Sequence, residues 1–169
     1  MKSTGEVMGF DRDFGMAFAK SQIASSNLLP TKGMAFLSVK NSHKEEVINL
    51  ARKLKKIGFT LSGTKGTAEA LKINGMKCKT INKVSSGKPH IVDILNSKKI
   101  SLVINTGGGN SETRVSDAKA LRRAVPYCTN MSTAYACIKG IEALKTKKLR
   151  VSSLPVSYTH LRAHETSNH

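Results

Sequence analysis

Short apolar runs alternate along the chain with stretches whose apolar residues recur at helical spacing, and the alternation holds from residue 34 to residue 144. Met34, Ala35, Phe36, Leu37 and Val39 form a compact apolar run suited to a buried strand. Val47, Leu50, Ala51, Leu54 and Ile57 then recur every three or four residues and predict a helix. Ser42 and Glu45 are spaced as a capping box ahead of it, and Gly58 sits where a left-handed terminating residue belongs. A second strand is predicted at 59–62, a helix carrying Ala68, Leu71 and Ile73 and closed by Gly75 after it, and a third strand at 78–82. Residues 84–89 read as a loop and 90–98 as a helix. The apolar run 101–105 is a buried strand, followed by the glycine-rich loop 106–110. A helix at 117–124, a short strand at 126–129 and an amphipathic helix at 132–144 with Ala136, Ile138, Ile141 and Leu144 complete the series.

Ahead of this series, residues 1–10 are polar and broken by glycine and read as a linker. Residues 11–25 suit an amphipathic helix with Phe14, Ala17, Phe18 and Ser21 on one face and Asp11 or Asp13 as its cap. The fold class that follows is α/β: a single Rossmann-like domain with about five parallel strands and helices on both faces of the sheet. Ligands of such sheets bind at the carboxyl ends of the strands. Lys44 follows the first strand, Thr64 and Thr67 the second and Lys83 the third, while Asn105 and Thr106 end the fourth. All six fall on one rim.

The stretch 59–67 runs from a strand through Gly63 and Gly66 into a helix expected to begin near Thr67. Two glycines permit a tight turn, and a helix start offers unpaired N–H groups and the positive end of its dipole. Taken alone, that turn fits an anion cradle and a merely capped helix start equally well. Lys44 and Lys83 beside Thr64 and Thr67 favour a phosphate, with Asn105 and Thr106 placed to read a sugar or base next to it. The spacing is not that of a P-loop, so triphosphate hydrolysis is not implied.

Composition narrows the partners. At 169 residues and 39% apolar, the chain matches one globular domain. Its apolar runs are too short for a membrane span of roughly 18 residues. Glu6, Asp11 and Asp13 interrupt the place of a signal peptide, and a cytoplasmic location is expected. Cys78, Cys128 and Cys137 lack a Cys-x-x-Cys spacing and read as buried free thiols. The net charge of +17 raises nucleic acid as a partner. Lysines spread over every helix, with three Tyr and five Phe that do not interleave with them, read instead as solvated faces, and no nucleic-acid binding is expected.

A family resemblance then covers residues 3–145. It rests on Ser3-Thr4-Gly5-Glu6-Val7-Met8-Gly9, Leu37-Ser38-Val39, Gly58-Phe59, Thr64-Lys65-Gly66-Thr67-Ala68, Asn82-Lys83-Val84, Gly87-Lys88-Pro89-His90-Ile91, Val103-Ile104-Asn105-Thr106 and Leu121-Arg122-Arg123. These resemble the C-terminal, methylglyoxal-synthase-like allosteric domain of the large subunit of carbamoyl phosphate synthase, bacterial type. The resemblance implies a domain without catalytic residues that binds nucleotide effectors of the UMP and IMP type. The effector phosphate would lie against Lys44, Thr64, Thr67 and Lys83, and the ribose or base near Asn105 and Thr106. It further implies a parent ligase that makes carbamoyl phosphate from glutamine, bicarbonate and ATP for pyrimidine and arginine synthesis. ATP, Mg and K belong to that parent, and its other synthetase domains and a glutamine amidotransferase small subunit are the implied partners.

On this reading residues 1–30 are the end of a preceding synthetase domain and a linker helix, and 31–152 the regulatory domain. Residues 156–169 resemble an adapter-derived, non-native tail, and the chain is expected to be a fragment of a longer one. Arg122 and Arg123 read as solvated. The rival is a stand-alone methylglyoxal synthase acting on dihydroxyacetone phosphate. It needs a carboxylate base and a histidine where this chain has Lys88 and Arg114, and Lys88 cannot serve as that base. Asp93 reads as a solvated or capping carboxylate and His90 as part of a helix start.

Overall fold

In a computed structural model of the chain, residues 6–82, 91–97, 99–107, 125–147 and 149 are described. They form helix α1 (Phe14–Ala24), strand β1 (Gly33–Ser38), a 3-10 turn (Asn41–His43), α2 (Lys44–Lys56), β2 (Phe59–Gly63), α3 (Lys65–Ile73) and β3 (Cys78–Thr80). Helix α4 (Ile91–Asn96), β4 (Ile100–Asn105), β5 (Tyr127–Cys128) and α5 (Met131–Thr146) follow. The sequence readings at 84–89, 117–124 and 156–169, with Arg122 and Arg123, lie outside the described residues.

All described strand pairs are parallel, in the order β3-β2-β1-β4-β5. The Rossmann-like α/β class read from the sequence is therefore the fold. Strands β1 and β4 are central because their alternate residues are apolar on both faces, which a parallel sheet needs when helices cover both sides. Ala35, Leu37, Leu102 and Ile104 pack with Val47, Leu50, Ala51 and Leu54 of α2, Ala68 and Leu71 of α3, and Ala134, Ile138 and Ile141 of α5. Phe36 and Val103 point the other way, into a second cluster with Ile91, Val92, Ile94 and Leu95 of α4. No helix among the described residues is long and apolar enough to cross a membrane.

Several local expectations change. The capping box of Ser42 and Glu45 does not form: the chain takes a 3-10 turn there, and His43 at the cap makes no side-chain bond to the helix. At the other end Gly58, with φ +97°, terminates α2 as expected, and Lys145 of α5 donates to the carbonyl of Ile57. Ile73 is 84% exposed rather than core, since it lies at the end of α3 past the last buried turn. The N-terminal helix is capped by Asp13, whose carboxylate accepts from Met16 N–H at 2.9 Å and pairs with Lys147 at 2.9 Å. Asp11 instead accepts from Lys20 at 2.8 Å, and that bond above all holds its carboxyl below the usual range.

The fully buried residues of α1 are Gly15, Met16 and Ala19; Phe18 is half-buried and packs against the core as expected, while Phe14 is exposed. At Gly15, α1 lies almost backbone to backbone against α5. A Cβ on Gly15 would stand 2.4 Å from the Lys139 carbonyl oxygen, and one on Gly140 2.7 Å from Leu29 Cδ1. Gly15→Ala tests this seam. Alanine gains about 1 kcal/mol of helix propensity, but forcing the two backbones apart costs about 1–3 kcal/mol. The urea midpoint is expected to fall, and an unchanged or raised midpoint would show that α1 does not bear on α5 so closely.

Candidate functional site

The site is built where three parallel strands end. A sheet ladder stops satisfying backbone groups at its last residue, so the N–H groups beyond must find side chains or water. Val39 and Lys40, just past β1, find threonines on opposite sides. Val39 N–H donates to Thr67 Oγ1 at 3.3 Å, and Lys40 N–H to Thr106 Oγ1 at 3.3 Å. Both threonines are buried, at 1% and 4% exposure, which marks these hydroxyls as structural acceptors as well as rim groups.

Helix α3 starts at Lys65, two residues earlier than the glycine pattern suggested, with Thr64 as its cap. Thr67 is thus the third helical residue. Thr64 makes no side-chain cap bond; its hydroxyl donates to Thr67 Oγ1 at 3.3 Å. The first backbone bond of the helix runs from Ala68 N–H to the Thr64 carbonyl at 2.8 Å. Lys65, Gly66 and Thr67 therefore present N–H groups for which helix geometry supplies no acceptor. These donors and the helix dipole face a cavity of about 490 Å³ lined by Lys44, Thr64, Lys65, Gly66 and Thr67, with Val39, Asn41, Glu69, Ile81 and Asn82 completing its wall.

Neither Gly63 nor Gly66 has a positive φ, so the turn does not draw on glycine's left-handed freedom. Gly66 serves close approach instead. A Cβ there would stand 2.8 Å from Lys44 Nζ, so the absent side chain is what lets the ammonium lie over the first turn of α3. Lys44 is brought there by the 3-10 turn that replaces the expected cap, which places its side chain at the start of α2 facing α3.

Of the six residues singled out in the sequence, Lys44, Thr64 and Thr67 share the cavity. Thr106 borders the same strand end from the β4 side without lining the cavity. Asn105 turns away: its amide donates to Tyr127 Oη at 2.8 Å on β5, and its oxygen accepts from Gly107 N–H at 3.1 Å. Lys83 lies outside the described residues, as do Lys88, His90 and Arg114. Asp93 sits on α4, against the second core cluster, and is not among the cavity's lining.

The sequence reading passed over His43 and Lys65. The His43 ring Nδ1 lies 3.0 Å from Thr106 Oγ1 and ties the turn after β1 to the end of β4. Its signal was hidden because Ser42 and Glu45 on either side read as a cap. Lys65 stood inside the recognised motif and would have emerged had the helix been started one residue after Thr64. Among the described residues no group of three or more His, Cys, Asp or Glu is arranged to hold a metal ion.

Comparison with known proteins agrees with this fold. The model of the MGS-like domain family matches residues 46–128. The C-terminal section of the carbamoyl phosphate synthase large chain of Methanopyrus kandleri is 43% identical over 91% of this chain, and that of Aquifex aeolicus 42% over 92%. The large chain of Brucella suis is 43% identical over 91% of this chain. The chain spans 29%, 30% and 14% of the length of these three relatives. A solved methylglyoxal synthase from Elizabethkingia anophelis superposes with a TM-score of 0.53 at 11% identity, over 73% of this chain and 97% of that one. At that identity the likeness is one of fold.

The bond between Val39 and Thr67 gives a measurable consequence. Thr67→Val keeps the shape but leaves the Val39 N–H without its acceptor, an expected loss of about 1–3 kcal/mol in urea unfolding. Thr67→Ser is expected to recover most of it; equal stability of the valine and serine variants would contradict the assignment.

Proposed function

We propose that this chain, an MGS-like domain of the carbamoyl phosphate synthase large-chain type, is a regulatory module that binds a nucleotide monophosphate effector of the UMP or IMP type. The observation that carries the reading is the cavity at the start of α3, where first-turn N–H groups, the Thr64 and Thr67 hydroxyls and the Lys44 ammonium converge. Backbone donors at a helix N-terminus with a lysine opposite are the chemistry that holds a phosphate. Lys65 adds a second cation from the described residues, and Lys83 is assigned to the same phosphate from its place after β3.

The nucleoside would extend from this phosphate along the rim. Asn105 and Thr106 are assigned to its ribose and base side; with the Asn105 amide engaged by Tyr127, that contact requires the pair to open or the ligand to use Thr106. The parent enzyme would make carbamoyl phosphate from glutamine, bicarbonate and ATP for pyrimidine and arginine synthesis in the cytoplasm. ATP, magnesium and potassium would be handled by its synthetase domains and glutamine by an amidotransferase small subunit, with this module altering their activity through contacts within one chain. Effector coupling of this kind needs two states biased by one ligand.

Calorimetric titration with UMP, IMP and inorganic phosphate tests the reading. Saturable nucleotide binding is expected, weakened about tenfold or more in Lys44→Ala, as loss of a charge-assisted hydrogen bond of about 1.5–3 kcal/mol implies. Lys83→Ala is expected to abolish it. Gly66→Ala should weaken binding with the fold intact, because the new methyl displaces the Lys44 ammonium. Duplex DNA bound at moderate salt with no nucleotide binding would overturn the proposal.

A further inference from the structure

We propose that Cys128 and Cys137 are a modification site: a dithiol that small hydroperoxides convert to an intramolecular disulfide through the cavity beside Cys137. The two sulfurs stand 3.4 Å apart, one at the end of β5 and the other on the inward face of α5. A disulfide bond is about 2.05 Å long, so a closing movement of roughly 1.4 Å joins them. The third cysteine cannot compete. Cys78 lies on β3, at the opposite edge of the sheet from β5 and four strand spacings away, about 19 Å at the usual 4.8 Å per strand.

Both thiols are buried, at 1% and 4% exposure, but they are not equally enclosed. Cys137 lines a cavity of about 240 Å³ together with Phe18, Gln22, Tyr127 and Thr133. A water molecule occupies about 30 Å³ of liquid, and hydrogen peroxide is only slightly larger, so the cavity admits such a reagent to one sulfur of the pair. Cys128, 1% exposed, is a member of the main core cluster and is not among that cavity's lining.

Either sulfur can donate the hydrogen bond between them, and access sorts their roles. Cys137 is the sulfur that meets the cavity and so the one a peroxide reaches as a thiolate. Cys137 thiolate attacks one peroxide oxygen, the O–O bond breaks, and Cys137 becomes a sulfenic acid. The departing hydroxide or alkoxide takes up the Cys128 proton, leaving as water or alcohol. Cys128 thiolate then attacks the Cys137 sulfur, the S–O bond breaks, and the departing hydroxide leaves as water with the proton Cys137 had released on becoming a thiolate. Two thiols lose two electrons and one hydroperoxide gains them.

The experiment treats the full chain with hydrogen peroxide, removes the excess with catalase and counts thiols by alkylation after unfolding. Alkylated thiols are expected to fall from three to one. A peptide pair joining Cys128 to Cys137 should appear, about 2 Da lighter than its reduced parts, and dithiothreitol should restore all three thiols. Cys78→Ser should lose both remaining thiols in the same way. In Cys128→Ser a sulfenic acid is expected to persist on Cys137 and to be captured by dimedone. Three alkylated thiols after treatment, a disulfide that includes Cys78, or a link between two chains would each overturn the proposal.

Discussion

A parallel sheet buried on both faces has no water at its centre, and the central strand must give up its last backbone N–H groups to side chains. That requirement organises this protein. Strand β1 has neighbours on both sides, and where its ladder ends, consecutive residues point to opposite neighbours. Val39 reaches Thr67 and Lys40 reaches Thr106, so the hydroxyls that finish the sheet also stand on the rim at its carboxyl end. The strand order reverses between β1 and β4, and open α/β sheets place ligands outside such a switch point.

The phosphate-binding reading gains its force from how the same few residues are oriented. Thr64 could have capped α3 in the ordinary way, closing an N–H with its own oxygen. Its hydroxyl instead bonds sideways to Thr67, and the first-turn donors remain directed at the cavity. Lys44 reaches over a glycine to stand opposite them. A lysine at this distance from a helix N-terminus repels the positive end of the dipole. The arrangement is electrostatically costly when empty, and an anion between the two relieves it.

What the sequence made legible is what local pattern dictates. The strands at β1, β2 and β4, the helical stripe of α2 and the terminating role of Gly58 all follow from the spacing of apolar residues and one backbone constraint. The misreadings share a different cause: two local signals competed, and a tertiary contact decided. Ser42 and Glu45 satisfy a capping pattern, yet the chain makes a 3-10 turn that carries His43 to Thr106, 63 residues away in sequence. Phe14 looks like part of the apolar face of α1, yet it is exposed, and close approach to α5 buries Gly15 instead. Asn105 ends a strand on the rim, but its partner Tyr127 is 22 residues further along, and no spacing rule links them. The cysteine pair was equally invisible, since Cys128 and Cys137 sit in different elements.

The two threonine bonds at the end of β1 also differ in how much chain each encloses. The one from Val39 spans 28 residues and the one from Lys40 spans 66. By loop-closure entropy the second costs about 0.8 kcal/mol more to form. Among the described residues, those lining the cavity all lie between Val39 and Asn82. During folding, then, the β1-α2-β2-α3-β3 half can assemble its cavity from near contacts, and the strand bearing Asn105 and Thr106 joins a rim whose α3 end is already in place.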